Sequence, residues 1–240
     1  MLTTLKRIIK QVVYSIVPPP YVPVSYSQAG EDAVLRFLFT DKKMPKISYL
    51  DLGTNLPDSG NNTYLFYRNG SRGVCVEADK TLIPQIEKVR PGDKVLNLGV
   101  AVSGLEAADF YVFDAKGMNT FDKGEADKRA AAGNYRLTET VKVKLLDINS
   151  IIRANFDRHP DLLSIDIEGL DLAVLKTLDF ASYPIPVICA ETCQYSENHV
   201  RAKNPAIAEF MSAQGYEIYA DTYINTIFVR KAWFYANGSS

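Results

Sequence analysis

The sequence predicts an α/β domain built on a seven-stranded, mostly parallel sheet, with helices on both faces and an antiparallel strand pair at its end. From residue 47 onward, short apolar runs alternate with amphipathic stretches, which is typical of the strands and helices of a parallel sheet. The last two apolar runs, 216–219 and 224–230, are separated by only a few residues, so they must pair antiparallel. A chain of 240 residues with 47% apolar content is large enough to bury the core of one such domain.

The individual elements follow from the spacing of apolar residues and from turn residues. Besides the closing pair, core strands are predicted at residues 47–52, 73–77, 94–98, 162–167 and 186–191. Helices are predicted at residues 61–67, 81–89, 147–156, 170–178 and 205–214. Two additional strands are predicted at residues 107–113 and 141–145. The polar, Ala-rich segment 117–133 between them is bounded by glycines, which predicts an irregular, mobile insertion near the active site.

The first 24 residues differ in character from the rest of the chain. Apolar residues recur there at helical spacing, with basic residues among them, and the run Pro18-Pro19-Pro20 must end the helix. We therefore divide the chain into an amphipathic helix with a Pro-rich linker (1–24), a main domain (25–235) and a disordered tail (236–240). The helix either packs on the domain or on a second copy in a homodimer, or it binds a membrane surface.

Composition narrows the class of protein further. The formal net charge of −1 gives no global electrostatic reason to expect nucleic-acid binding. The three cysteines form no CxxC pair, and with two histidines in the chain a structural zinc site is not expected. This cysteine usage indicates a reducing, cytoplasmic compartment, with peripheral membrane association as the alternative if the N-terminal helix binds lipid.

Polar motifs follow the first two predicted strands at their carboxyl ends, where an open α/β sheet binds its ligands. Residues 51–55 read Asp-Leu-Gly-Thr-Asn, and Gly53 allows a tight turn and a close approach of the backbone to a ligand. The backbone N–H groups of this loop and the start of the next helix, at Asn62 and Thr63, can bind a carboxylate or a phosphate. Glu77 ends the second strand, where an acid can accept hydrogen bonds from both hydroxyls of a ribose.

Acidic residues also mark the ends of two later core strands. Asp166 and Glu168 lie at the end of strand 162–167, and Glu191 ends strand 186–191. Carboxylates at such positions can bind a substrate, act as a general base or ligate a metal ion. An alternative for the first two is capping of the following helix. His199 follows eight residues after Glu191 in a polar loop, where it is either solvated or catalytic.

Together these residues resemble the FkbM methyltransferase family over residues 25–230. The resemblance depends on the order and spacing of several segments, in one of which Thr54 stands where the family has Ala. The segments are 26–32 (YSQAGED), 51–55 (DLGTN), 60–64 (GNNTY), 73–77 (GVCVE), 90–91 (RP), 119–121 (NTF) and 162–169 (LLSIDIEG). The resemblance implies a Rossmann-like class I methyltransferase fold. It also implies O-methylation, by S-adenosylmethionine, of a hydroxyl in a secondary metabolite or in a sugar of a bacterial surface glycan.

The resemblance implies a donor site and an acceptor site at the strand ends. Donor-binding residues are expected to be Gln28, Asp51, Gly53, Thr54, Asn55, Asn62, Thr63, Glu77, Ala78, Val100, Ala101, Val102 and Asp166. Residues 53–55 would hold the amino-acid end of S-adenosylmethionine, Glu77 its ribose and residues 100–102 its adenine. Gln28, with Asn62 or Thr63, would cover the carboxylate.

The expected catalytic residues are Asp166 and Glu191, with Glu168 and His199 in reserve. Asp166 acts either as a metal-free base or, together with Glu191, as a ligand of Mg²⁺. The partner is then a small-molecule or glycan acceptor.

Two other classes of protein compete with this interpretation. An NAD(P)-dependent Rossmann-type oxidoreductase would share the fold and the ribose-binding acid. The loop at residues 51–57 lacks the second and third glycines of GxGxxG, and the chain has no Tyr-x-x-x-Lys pair. A non-catalytic binding module conflicts with the acids at successive strand ends.

Deletion of residues 1–22 is predicted to leave donor binding intact, because the predicted site is built from strand ends that begin after residue 47. If the N-terminal helix binds membranes, the full-length chain floats with anionic liposomes and the truncated chain does not. Calorimetric titration with S-adenosylhomocysteine and liposome flotation measure the two properties. A truncated chain that folds but no longer binds the ligand would contradict this division of the chain.

Overall fold

The computed structural model describes residues 25–115, 118–167, 169–193 and 203–236. The predicted N-terminal helix, Glu168, His199 and all but the first residue of the predicted tail lie outside these ranges. In the described part of the chain, no helix is both long and apolar enough to cross a membrane.

The strands and helices alternate along most of the chain. The strands are β1 (Ser48–Leu52), β2 (Arg72–Glu77), β3 (Lys94–Asn97), β4 (Gly99–Ala101), β5 (Ala107–Phe113), β6 (Leu137–Asp147), β7 (Leu162–Ile165), β8 (Val187–Glu191), β9 (Tyr216–Asp221) and β10 (Asn225–Arg230). The helices are α1 (Glu31–Asp41), α2 (Tyr64–Arg68), α3 (Ile83–Val89), α4 (Lys123–Ala132), α5 (Ile148–Asn155), α6 (Asp171–Thr177), α7 (Pro205–Ala213) and α8 (Lys231–Phe234).

The main sheet has seven strands in the order β3–β2–β1–β7–β8–β10–β9. Its first five strands are parallel, and β10 runs antiparallel to both β8 and β9. The predicted fold class, a mostly parallel sheet closed by an antiparallel pair, is therefore confirmed. Since the carboxyl ends of the parallel strands share one edge, the residues that follow them are brought together.

Two apolar clusters cover the two faces of this sheet. Alternate residues of each buried strand point to opposite faces, so Leu50 and Leu52 join one cluster and Tyr49 joins the other. Helices α5, α6 and α7 contribute to the first cluster, and α1 and α2 to the second. The arrangement confirms the prediction that helices lie on both faces.

A smaller three-stranded sheet, in the order β4–β6–β5, is inserted after β3. Strands β5 and β6 match the two additional strands that the sequence predicts. The prediction of an irregular insertion at 117–133 is wrong for most of that segment, because residues 123–132 form the helix α4. The Asp122 side chain caps α4 by accepting a hydrogen bond from the Glu125 N–H, and Gly133 ends it with a left-handed backbone at φ 74°.

One fully buried side chain, Arg90, fastens the end of β1 to the start of α2. The Arg90 Nε donates to Asp93 Oδ2 at 2.8 Å, and its Nη2 donates to Thr63 Oγ1 at 2.8 Å. Its Nη1 lies 3.2 Å from Asn61 Oδ1 and 3.5 Å from Asp51 Oδ2. The same Asp51 oxygen accepts hydrogen bonds from Asn61 and Thr63. The guanidinium thus satisfies a buried polar cluster that could not be left unpaired.

The segment before α1 is fastened by two buried acids. Asp32 accepts hydrogen bonds from the Ser25 and Ser27 hydroxyls and from the Tyr26 N–H. Glu31 accepts from Thr222 at 2.6 Å and from Asn225 at 3.0 Å, both beside the turn between β9 and β10. These bonds place Gln28 at the carboxyl edge of the main sheet, where it lines a cavity.

The change Arg90→Met is predicted to lower the free energy of unfolding by about 3–5 kcal/mol, because it leaves two buried carboxylates without their cation. Urea unfolding followed by circular dichroism measures the effect. The matched control is Arg158→Met at an exposed position, which should change stability by no more than about 0.5 kcal/mol. Equal stabilities of the two variants would contradict the role assigned to Arg90.

Candidate functional site

A cavity of about 800 Å³ opens at the carboxyl edge of the main sheet. Its floor is formed by residues at the ends of β1, β2, β7 and β8, and residues of β5 and α4 form an opposite wall. A volume of this size is in the range of small-molecule and cofactor sites.

The loop after β1 approaches β7 too closely for a side chain. Gly53 has φ +80°, and a Cβ built on it would lie 1.9 Å from the Asp166 carbonyl oxygen. The Gly53 and Thr54 N–H groups donate to the Val76 carbonyl oxygen, and the Asn55 N–H donates to Glu77 Oε2. The sequence predicts that these N–H groups bind a ligand, but in the structure they donate within the chain and hold the loop against the end of β2.

Glu77 is buried at the end of β2 and lines the cavity beside Ala78. Its Oε2 accepts from the Asn55 N–H and its Oε1 from the Asp79 N–H, both at 2.8 Å. Burial raises the pKa of Glu77 although these N–H groups oppose the rise. Each carboxylate oxygen retains acceptor capacity, so this side chain can accept two further hydrogen bonds from neighbouring hydroxyls.

The small sheet adds an apolar wall that sequence reasoning missed. Phe110 and Phe121 lie with their ring centroids 4.7 Å apart, and both line the cavity. A Cβ on Gly99 would lie 2.5 Å from the Phe121 ring, so only glycine allows this ring to lie against β4. Asn119 connects the wall to β2, because it donates to Asp79 Oδ2 at 2.9 Å and accepts from the Phe113 N–H. The segment 119–121 contributes to the family resemblance, but nothing in its sequence pattern indicates a wall.

Only the first of the three residues expected beside the adenine reaches the cavity. Val100 lines it. Ala101 is buried where β4 pairs with β6, and Val102 lies past the end of β4, 38% exposed. The two do not line the cavity, because β4 turns away from the main sheet after Leu98.

Four other residues expected to bind the donor lie in different positions. Thr63 is fully buried with its hydroxyl between Asp51 and Arg90, and it does not line the cavity. Asp51 lines the cavity, but its carboxylate belongs to the same hydrogen-bonded cluster. Gln28 lies exposed at the rim, and Asn62 is buried in the floor.

The two acids expected to be catalytic lie on neighbouring strands. Asp166 follows β7 and Glu191 ends β8; the strands are adjacent in the sheet, and both residues line the cavity. Among the residues that the structure describes, no group of three or more His, Cys, Asp or Glu side chains is arranged to hold a metal ion. The reserve candidates Glu168 and His199 lie outside the described residues.

A third acid, Asp171, was not found by sequence reasoning. It is buried at the start of α6, lines the cavity, and accepts hydrogen bonds from the N–H groups of Ile167 and Gly169. Burial, together with the nearby charge of Asp166, raises the pKa of Asp171 to about 8. Asp171 therefore shapes the turn after β7 and is largely protonated at neutral pH.

The sheet order, the reversed strand β10 and a cavity at the carboxyl edge are those of a class I S-adenosylmethionine-dependent methyltransferase. The family model described as the methyltransferase FkbM domain matches residues 51–218, and the chain belongs to this family. The chain is thus a methyltransferase that uses S-adenosylmethionine, and the oxidoreductase and binding-module interpretations are set aside.

The solved structures that match this chain share little sequence with it. The 1,6-didemethyltoxoflavin-N1-methyltransferase of Burkholderia thailandensis, with bound 1,6-didemethyltoxoflavin and S-adenosylhomocysteine, is 12% identical, with 95% of this chain and 87% of that chain covered and a TM-score of 0.41. An O-methyltransferase from Bacillus cereus in complex with S-adenosylhomocysteine is 14% identical, covers 93% and 97%, and has a TM-score of 0.41. A TehB-like S-adenosylmethionine-dependent methyltransferase from Corynebacterium glutamicum is 10% identical, covers 95% and 97%, and has a TM-score of 0.40. No curated protein matches the sequence.

The change Asp171→Asn is predicted to remove a pH-dependent loss of stability. Between the ordinary pKa of 3.8 and about 8, folded Asp171 holds a proton that the unfolded chain has lost, so its contribution to stability falls as pH rises. The stability of Asp171→Asn relative to wild type should therefore increase between pH 5 and pH 8, by about 1 kcal/mol or more.

Urea unfolding at several pH values measures this difference. The exposed Asp157→Asn variant is the control, and its difference from wild type should not change with pH. If the stability difference between Asp171→Asn and wild type also does not change with pH, Asp171 is ionised in the folded chain over this range, which contradicts the prediction.

Proposed function

We propose that this methyltransferase transfers a methyl group to a hydroxyl of a sugar, in a glycan or a related small molecule, or of a secondary metabolite. The observation that supports this most directly is the position of Asp166 and Glu191. They follow adjacent strands and line one cavity, so two acids are available to one acceptor hydroxyl.

The residues of the cavity fit S-adenosylmethionine, which when bound supplies an electrophilic methyl group on its sulfonium. Glu77 would accept hydrogen bonds from the ribose hydroxyls, since its carboxylate is already oriented by two backbone N–H groups. Phe121 and Val100 would contact the adenine. Gly53 lets the loop after β1 lie directly against the Asp166 backbone, since a Cβ there would lie 1.9 Å from the Asp166 carbonyl oxygen.

Asp166 would act as the general base. A free hydroxyl is a poor nucleophile at neutral pH, so a carboxylate oxygen that accepts its proton assists the reaction. Glu191, one strand away, would accept a hydrogen bond from the acceptor and orient it, and positioning of this kind accounts for much of the rate in such transfers. The alternative is Mg²⁺ bound by Asp166 and Glu191 through hard oxygen ligands, which would lower the pKa of the hydroxyl instead.

The charge of the cavity supports an acceptor without negative charge. Among the described residues that line it, nine have acidic side chains and one, Arg129, has a basic side chain. Asp171 is largely protonated and Asp51 is paired with Arg90, which leaves seven acids to set the charge of the lining. A phosphorylated or polyanionic acceptor would be repelled, and nucleic acid would be disfavoured for the same reason. Uncharged sugar hydroxyls, which donate hydrogen bonds to carboxylates, suit such a lining.

The proposal is tested by methyl transfer from labelled S-adenosylmethionine to a panel of neutral glycosides and their phosphorylated counterparts. With an active acceptor, Asp166→Asn should lower kcat on the order of 100-fold or more at saturating donor. Glu191→Gln should raise the acceptor KM, and wild type should keep full activity after EDTA treatment. The exposed Asp157→Asn variant is the control and should turn over normally.

Three outcomes would count against parts of this proposal. Near-normal turnover by Asp166→Asn would remove the base assignment. Loss of activity in EDTA that Mg²⁺ restores would replace it with the metal-assisted alternative. Transfer to phosphorylated acceptors in preference to neutral ones would contradict the proposed acceptor class.

A further inference from the structure

Tyr223, in the three-residue turn between β9 and β10, has a backbone conformation that a bulky residue rarely adopts. Its φ is +76°, in the left-handed region that favours Gly or Asn. Hairpin turns of this length commonly contain one residue in that conformation, and Gly there avoids the steric cost. A tyrosine at this position therefore costs stability that a glycine would not, and strain of this kind clusters at active sites and ligand-binding positions.

The turn lies beside the acceptor end of the cavity. Because β10 pairs antiparallel with β8, the turn before β10 lies next to the carboxyl end of β8. The Thr192 N–H donates to the Ile224 carbonyl oxygen at 2.9 Å, and the Cys193 Sγ donates to the Tyr223 carbonyl oxygen at 2.7 Å. Thr192 and Cys193 line the cavity, as does Glu191. The backbone of Tyr223 is thus bonded directly to the lining of the proposed acceptor site.

The side chain of Tyr223 is held in place and is still 57% exposed. The Lys203 Nζ lies 5.6 Å from the centroid of the ring, within the range of a cation–π contact. That ammonium group donates to Asp221 Oδ1 at 2.6 Å and to Thr192 Oγ1 at 2.9 Å. The Tyr223 N–H donates to the same Asp221 oxygen at 2.7 Å. Backbone and ring are therefore both oriented before a ligand binds, which lowers the entropic cost of binding.

An exposed phenol ring at the rim of a cavity for neutral acceptors suits a sugar ring. Tyrosine offers a large, rigid, apolar surface at low cost in conformational entropy, together with a hydroxyl that can form hydrogen bonds. A pyranose has a face of C–H groups that can lie on such a ring, while its hydroxyls remain at the edge and meet water or polar groups. A flat aromatic surface therefore binds a sugar without requiring any charge on it.

We infer that Tyr223 forms a second sugar subsite at the rim, which binds the sugar next to the one that is methylated. The inference rests on the proposed function, in which Asp166 and Glu191 receive the acceptor hydroxyl. The described residues that line the cavity do not include Tyr223, so its ring is placed for a neighbouring sugar and not for the reacting one. The subsite narrows the acceptor to a glycan or glycoside with at least two sugar rings.

The test compares the disaccharide and monosaccharide forms of the neutral glycoside that proves active as acceptor. The length preference is defined as kcat/KM for the disaccharide divided by kcat/KM for the monosaccharide. Wild type should prefer the disaccharide by about three- to tenfold, the range of one aromatic contact. Tyr223→Gly should lose this preference through a higher KM for the disaccharide with kcat retained, because a contact of this kind is equal in the ground state and the transition state.

Two control variants accompany this measurement. Tyr223→Phe keeps the flat ring and should retain the length preference within about twofold. Tyr235→Ala removes a tyrosine of similar exposure, 64%, at the end of α8. Because α8 follows the end of β10 that lies at the opposite edge of the sheet, this variant should keep the length preference unchanged.

Stability separates a subsite from a structural role. Tyr223→Gly relieves the strained φ, so the urea midpoint of unfolding should stay the same or rise. A ring that served only to hold the turn would give a lower midpoint in this variant and weaker activity on both acceptors, which would overturn the inference.

Other outcomes also count against the subsite. An unchanged length preference in Tyr223→Gly, or a wild type that uses both acceptors equally, would overturn it. Transfer to a hydroxyl of a non-sugar compound alone would overturn the subsite and leave the proposed methyl transfer intact. Absence of transfer by wild type to any neutral hydroxyl acceptor would contradict the proposed function itself, which separates the two failures.

Discussion

The buried guanidinium of Arg90 is the constraint on which the site depends. It holds Asp51 at the end of β1 and Thr63 at the start of α2, and it joins both to Asp93 before β3. Without this cation, burial of the Asp51 and Asp93 carboxylates would be strongly unfavourable. Asp51 and Thr63, which look like ligand-binding residues in the sequence, therefore serve mainly to fix the geometry of the loop between them.

The two sides of the cavity carry different kinds of side chain. On the β2 side, backbone N–H groups of the loop and of Asp79 orient Glu77, and Phe121, packed on Phe110 of β5, lines the same cavity. On the β7 and β8 side, Asp166, Asp171 and Glu191 bring carboxyl groups together. The proposed function assigns the first side to the nucleoside of the donor and the second to the hydroxyl acceptor.

The sequence predicts what depends on local pattern and on sheet topology. The strand ends, the adjacency of Asp166 and Glu191 and the place of Glu77 follow from apolar runs and from the parallel order. The helix α4 was missed because its polar, Ala-rich residues show no apolar period, although Asp122 and Glu125 are spaced as a helix cap. The orientation of Asn62 could not be predicted, because it depends on Ser164 and Cys189, which lie 102 and 127 residues away in the chain.

The central proposal is geometric: one cavity at the carboxyl edge would hold the methyl donor beside Glu77, with Asp166 beside the acceptor. The most direct test is a crystal structure of the chain with bound S-adenosylhomocysteine. The expected result is ribose hydroxyls within hydrogen-bonding distance of the Glu77 carboxylate and the adenine against Phe121. A ligand whose ribose lies away from Glu77, or whose adenine lies away from Phe121, would contradict this proposal.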